Sequence, residues 1–284
     1  MPCESDVEGG VDVSGCRSSA VRRIALFSDV HGNTVALDAV LDDIASQGIG
    51  ELYCLGDLVG YGPDPAGVID RVRERGIPTI RGNYDDGIGH YRGECGCYYV
   101  TDQAKSDGAA SYAFTDAALG DADHEWLAAL PDTLRFDQDG VRVLLAHGSP
   151  RKINEYLLPD REDKQLARLA DEADADVVCV GHIHIPYHRI LAAADGRTVH
   201  YVSSGSVGKP KDGDPRAAWV ELVIGTKTEV ATLTGADEAL ALAGTTDTWA
   251  GTVVHRVAYD VEAASAAVVS AGLPETLAEA LRRA

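Results

Sequence analysis

The chain has 284 residues, 45% of them hydrophobic, and a formal net charge of -20. That length holds one large domain or two small ones with a sizeable core, and no apolar run reaches the roughly 18 residues a membrane span needs. The charge repels long polyanions, which argues against a binder of long nucleic acid, and it suits a salt-rich cytoplasm.

Residues 1–20 are polar and glycine-rich. They lack the basic start and apolar stretch of a secretory signal, so the expectation is a disordered acidic tail on a cytoplasmic protein with no membrane contact. Residues 21–284 are expected to form a single domain, with a C-terminal strand and helices from about 250 packed on it.

Residues 22–28 read as a buried strand ending in Asp29-Val30-His31. Asn33 can cap a helix over 34–46, whose apolar side is Val35, Leu37, Val40, Leu41 and Ile44. A strand follows at 51–55, ending in Gly56-Asp57. Asp64 before Pro65 has the pattern of a cap followed by proline at the first helical position, opening a helix at about 65–75. A third short strand, 77–81, ends in Gly82-Asn83. This alternation implies parallel pairing with right-handed crossovers.

The pattern is lost from 84 to about 100, as in a functional loop. Helices are expected at about 101–119 and 122–130. Strands at 132–137 and 141–146 meet across Asp139-Gly140, a hairpin signal, and the second ends in His147-Gly148. A helix spans about 160–173, with Leu166 and Leu169 inward. The run 176–180 ends in Gly181-His182-Ile183-His184, and strands at 187–192 and 197–202 follow. Residues 203–210 read as a turn-rich loop, 217–224 and 227–233 as a hairpin around Gly225, 252–258 as a strand, and 261–283 as helix interrupted at Gly272 and Pro274. The strand-rich second half implies a second sheet packed on the first, with helices outside both.

Of six cysteines, Cys54 and Cys179 lie in apolar runs and read as buried thiols, while Cys3 and Cys16 fall in the tail. Cys95 and Cys97 form a C-x-C without a second pair at zinc-finger spacing. A metal site, a disulfide and an ordinary loop in a reducing compartment all fit that pair.

Five apolar runs thus end in His, Asp or Asn. Ligands of open α/β sheets sit beyond the carboxyl ends of strands. His182 and His184, two apart on extended chain, point to one side. Mixed imidazole and oxygen donors suit transition ions better than Mg or Ca, which prefer all-oxygen shells. Two such cations need a bridging anion, and Asp57 can be one. Two-metal sites clamp both oxygens of an in-line phosphoryl displacement. No Walker A sequence, dinucleotide fingerprint or nucleophile elbow is present.

Asp29-Val30-His31, Gly56-Asp57, Gly82-Asn83-Tyr84-Asp85, His147-Gly148 and Gly181-His182-Ile183-His184 resemble the motifs of the calcineurin-like metallophosphoesterase superfamily, its compact prokaryotic phosphodiesterase branch above all. The likeness covers about residues 22–260 in order and spacing. It implies an α/β fold, a two-sheet β-sandwich flanked by helices. It also implies hydrolysis of a small phosphodiester by attack of a metal-bridging hydroxide. By position, one metal takes Asp29, His31, Asp57 and His184, and the other takes Asp57, Asn83, His147 and His182. The cofactor is two divalent transition ions, Mn first, with Fe, Zn, Ni or Co as alternatives. A phosphomonoesterase, and a metal-binding scaffold of the same fold, are the competing readings. The resemblance leaves open whether the chain forms a homo-oligomer.

The catalytic set implied is Asp57, Asn83, Tyr84 and Asp85. The commonest family motif has His after the Asn, oriented by the following Asp, where it helps the leaving group. Here that position is Tyr84, a poorer proton donor near neutrality. Arg151 is a candidate for binding the substrate phosphate and Tyr61 for walling the cleft. His90, His124, His188, His200 and His255 lie outside the motifs and read as structural or exposed.

Overall fold

The structure is a computed structural model that describes residues 21–235 and 240–284. The expected tail, with Cys3 and Cys16, lies outside those residues. Its first sheet is built from β1 (Arg22–Phe27), β2 (Leu52–Cys54), β8 (Ala217–Gly225), β9 (Leu240–Leu242) and β10 (Trp249–Val257), in the order β2-β1-β8-β10-β9. The second comprises β3 (Thr133–Gln138), β4 (Val141–Ala146), β5 (Val177–Val180), β6 (Pro186–Ala192) and β7 (Thr198–Ser204), ordered β3-β4-β5-β7-β6. Both sheets are mixed: β1–β2, β4–β5 and β5–β7 pair in parallel and the remaining neighbours antiparallel.

The central strands β1, β4 and β5 read as largely apolar runs because both their faces are covered. Ile24 and Leu26 of β1 point between the sheets, where they meet Val143 and Leu145 of β4 and Val177 and Cys179 of β5. Ala25 and Phe27, on the opposite face, pack under α1 (Thr34–Ser46) and α2 (Pro65–Glu74). Val178 of β5 turns outward to Leu166 and Leu169 of α6 (Asp163–Glu172). This helix–sheet–sheet–helix stack is the expected architecture. Asn33 caps α1 by accepting the Ala36 N–H, and Asp64 caps α2 with Pro65 at its first position. The Asp139-Gly140 turn joins β3 to β4 with both residues at positive φ.

Three expectations need correction. Residues 77–81 are not a strand. Thr79 makes one parallel bridge to Cys54, because Pro78 has no N–H to extend a ladder and the chain turns at once into Gly82. The expected loop after residue 83 begins as a helix, α3 (Asn83–Gly89). Its glycines hid it; a Cβ at Gly89 would collide with the backbone of Ala128, so glycine is what lets α3 pack on α5 (Asp121–Ala129). Residues 227–233 are helical, not the second arm of a hairpin: α7 (Lys227–Thr234) opens on a capping box, Thr226 and Glu229, and lays Val230 on Val223 and Leu240. The three-residue β9 escaped notice altogether.

The chain ends in α8 (Val261–Ser270) and α9 (Glu275–Arg283), which pack on each other and, with α4 (Asp102–Ala118), close over Tyr61. Among the described residues no helix is long and apolar enough to cross a membrane.

Candidate metal centre

The strand ends deliver the polar residues through turns that ordinary residues avoid. Asp29 and His31 after β1, Asp57 after β2, and His182 and His184 after β5 all have positive φ, between 50° and 67°. They are five of the ten non-glycine residues with positive φ among the described residues. Left-handed backbone at such residues is costly and gathers where a site dictates it. Neighbouring turns hold it in place: Asp29 N–H donates to Gly56 O at 2.9 Å, His31 N–H to Asp57 O at 3.1 Å, and His182 N–H to Asp29 Oδ2 at 2.9 Å. The Gly56 and Gly82 backbones touch so closely that a Cβ on either would overlap the other turn. That contact brings Asp57 beside Asn83.

Two groups of possible ligand atoms result: Asp29, His31 and His184, and Asp57, His147 and His182. Within each group the donor atoms lie within 4.8 Å of one another, and all six residues are buried. His184 Nε2 is 3.2 Å from Asp29 Oδ1 and 3.2 Å from His31 Nε2. Asp57 Oδ2 stands between the groups, 3.8 Å from His31 Nε2 and 3.5 Å from His147 Nε2. Asn83 joins the second group, its Oδ1 3.2 Å from His147 Nε2. Its amide is oriented from behind by the carbonyl of Cys95, 2.9 Å from Nδ2.

The imidazoles present lone pairs inward. Nδ1 of His31 donates to Val59 O, that of His147 to Leu55 O, and that of His184 to Lys209 O. Each Nε2 is thereby left facing the site, as metal-ligating histidines require. Burial pushes His31 down to about 3; burial, reinforced by His147, pushes His182 to about 4, and burial carries His184 well below its usual range. All three are neutral donors at neutral pH. Burial opposes charge on His147 as well, but Asp57 and Asp29 outweigh it and raise it to about 9. Cation binding would displace that proton. Asp29 Oδ1 and His182 Nε2 are buried with no hydrogen-bond partner. Buried polar atoms are normally satisfied, and a cation in each group would satisfy both. The donor set therefore fits two divalent transition ions.

The remaining candidates fall in different places. Tyr61 and Tyr84 line the cavity beside the two groups, about 370 Å³ in volume. The Tyr84 ring packs edge-on against His31, its hydroxyl is buried without a partner, and burial and neighbouring tyrosines raise it well above its usual range. Asp85 is not among the residues lining the cavity and makes no hydrogen bond to the Tyr84 hydroxyl. Its carboxylate accepts the backbone N–H groups of Asp57, Leu58 and Gly82. Arg151 is turned away: it is exposed, forks onto Glu155 at 2.7 and 2.9 Å, and is not among the residues lining the cavity. Cys95 and Cys97 are joined as a disulfide behind Asn83, so of the three readings of that pair the structure carries the bridge.

Sequence reasoning missed Lys209 and Lys211, which line the cavity from the loop after β7. They lay in a stretch read only as turns. It also missed Tyr98, Tyr99 and Tyr156, and the wall supplied by Thr276, Leu277 and Ala280 of α9.

Residues 23–228 match the family described as the calcineurin-like phosphoesterase superfamily domain. An uncharacterized protein of Methanocaldococcus jannaschii is 31% identical over 208 residues, 69% of this chain and 80% of that protein. A metallophosphoesterase of Sphaerobacter thermophilus has a similar structure, with a TM-score of 0.65 and 27% identity, covering 93% of this chain and 99% of that one. A hypothetical protein of Pyrococcus horikoshii shares the fold, with a TM-score of 0.69 and 21% identity over 91% of this chain and 97% of that one.

Proposed function

Because this chain belongs to the calcineurin-like phosphoesterase superfamily, we propose that it is a phosphoesterase dependent on two divalent metal ions and acting on a small phosphodiester. The observation that carries this reading is the pair of buried ligand groups with Asp57 Oδ2 between them. Asp29, His31 and His184 would hold one ion, Asn83, His147 and His182 the other, and Asp57 would serve both. When bound, the ions would supply positive charge to the phosphoryl oxygens and activate water near neutral pH. The protein's own part is to fix that geometry. The carbonyls of Val59, Leu55 and Lys209 orient three imidazoles, and the Cys95 carbonyl turns the Asn83 amide so that its oxygen faces the site.

A diester is favoured over a monoester by what stands at residue 84. A general acid there would protonate the departing alcohol, whereas a buried phenol raised above its usual pKa holds its proton. Esters whose alcohols leave unaided suffer least. The test is hydrolysis by protein reconstituted with Mn, Zn, Fe, Co or Ni. The expected result is faster turnover of bis(p-nitrophenyl) phosphate than of p-nitrophenyl phosphate. The opposite order would replace the diester by a monoester. No turnover with any metal would leave the scaffold reading.

A further inference from the structure

The cavity beside the ligand groups has a second charged feature. Only six lysines occur in the sequence, and two of them, Lys209 and Lys211, line it. Their backbone is keyed to the ligand groups. His184 Nδ1 donates to Lys209 O, Lys211 N–H donates to His184 O at 3.3 Å, and Ser206 Oγ accepts Lys209 N–H while donating to Asp29 O. The Lys209 ammonium sits over the Tyr61 ring at 4.6 Å, a cation–π contact that fixes a flexible side chain.

In a chain this acidic, carboxylates could have neutralised both lysines. The nearest in sequence are already engaged: Asp212 pairs with Arg256, and Asp214 with Arg216 at 2.6 Å. Asp107, on the cavity wall, accepts the Thr276 hydroxyl at 2.7 Å and the Gln103 amide at 2.8 Å. Neither lysine makes an ion pair among the described residues. The two lysines are near enough to repel each other, against which Asp107 acts on Lys209, and Asp29 and Asp57, which cations at the ligand groups would engage, act on Lys211; an anionic ligand between the two side chains would offset that repulsion.

We propose that the substrate is a phosphoester carrying a second anionic group, a phosphate or a carboxylate, and that Lys209 and Lys211 receive that group while the scissile phosphate lies at the ligand groups. This deepens the phosphoesterase reading and rests on it. The wall from α9 lies beyond residue 228, where the family match ends.

The test compares two chromogenic diesters on the metal-loaded protein: the p-nitrophenyl ester of thymidine 5′-phosphate, and the same compound with a 3′-phosphate. The expected kcat/KM is at least tenfold higher for the 3′-phosphorylated ester. In the Lys209→Gln/Lys211→Gln variant that ratio should fall to near one. Calorimetry supplies the second readout on metal-free protein. Thymidine 3′,5′-bisphosphate should bind at least fivefold more tightly than thymidine 5′-phosphate, again only with both lysines present. No hydrolysis of either ester, with lysine-dependent binding intact, would sink the phosphoesterase reading and keep the anion recess. Hydrolysis with a ratio near one in the wild type, or a ratio unchanged in the variant, would overturn the recess and keep the phosphoesterase.

Discussion

The carboxylate of Asp85 accepts the backbone N–H of Asp57 at 2.8 Å, and its second oxygen accepts that of Leu58 at 2.9 Å. Through Gly82 N–H, also at 2.9 Å, the same carboxylate reaches the start of α3, where Asn83 sits. One buried side chain thus ties the turn that carries Asp57 to the helix that carries Asn83.

Asp85→Ala should therefore act on the scaffold. Several buried N–H groups would lose their acceptor, at a cost on the order of 3 kcal/mol. Urea unfolding of the metal-free protein measures this, and Asp85→Asn, which keeps one acceptor oxygen, should fall between wild type and Ala. Equal stability of wild type and Ala would show that these bonds hold nothing.

Tyr84 packs between His31 and Tyr61, with its hydroxyl unpartnered. Tyr84→Phe should keep kcat/KM on a nitrophenyl diester within about twofold. Wild-type rates across aryl and alkyl esters should fall steeply as leaving-group pKa rises, because no strong acid stands at this position. A flat profile, with product release shown not to limit, would mean that another group protonates the alcohol.

Arg151 is bonded to Glu155 at the surface. Arg151→Ala should leave KM for the same diester within twofold. A rise of tenfold would return Arg151 to the substrate site.

Partly buried His188 and buried His200 form a relay between the sheets. With both rings neutral one proton arrangement satisfies it: Thr252 Oγ1–H donates to His188 Nδ1, His188 Nε2–H to His200 Nδ1, and His200 Nε2–H to Leu242 O. Burial, with His200 beside it, pushes His188 down to about 3, and burial lowers His200 as well. The unfolded chain takes up the proton near 6.5, the folded chain only near 3, so stability is complete above 6.5 and lost as pH falls below it. From pH 7 to 5.5 His188 should account for about 1 kcal/mol of that loss. Urea unfolding of wild type and His188→Gln at both pH values isolates it, since the other histidines titrate in both proteins. An identical pH dependence in the two proteins would contradict the neutral relay.

Much of this was legible because strand ends advertise themselves. An apolar run closing in Gly-Asp or Gly-His is visible in one dimension, and the cap at Asn33 marked the start of α1. What the sequence hid depended on contacts distant along the chain. The helix α3 is rich in glycine because α5 presses on it, and glycine reads as loop. Helix α7 carries valine and threonines that read as strand, although its capping box was there to be seen. Lys209 and Lys211 gain their meaning only from Tyr61 and His184, far away in sequence. The hydrogen bonds of Asp85 were hidden for the same reason: its partners are backbone N–H groups, which no side-chain motif displays.

The central claim is that Asp57 and its neighbours hold two metal ions. Elemental analysis of protein purified without chelator, then reconstituted and freed of excess metal, tests it most directly. The account predicts about two transition ions per chain in the wild type. In a folded Asp57→Ala variant, verified by circular dichroism, both should be lost, whereas Asn83→Ala should lose mainly one. Wild-type protein that retains no metal, or an Asp57→Ala variant that keeps both ions, would contradict it.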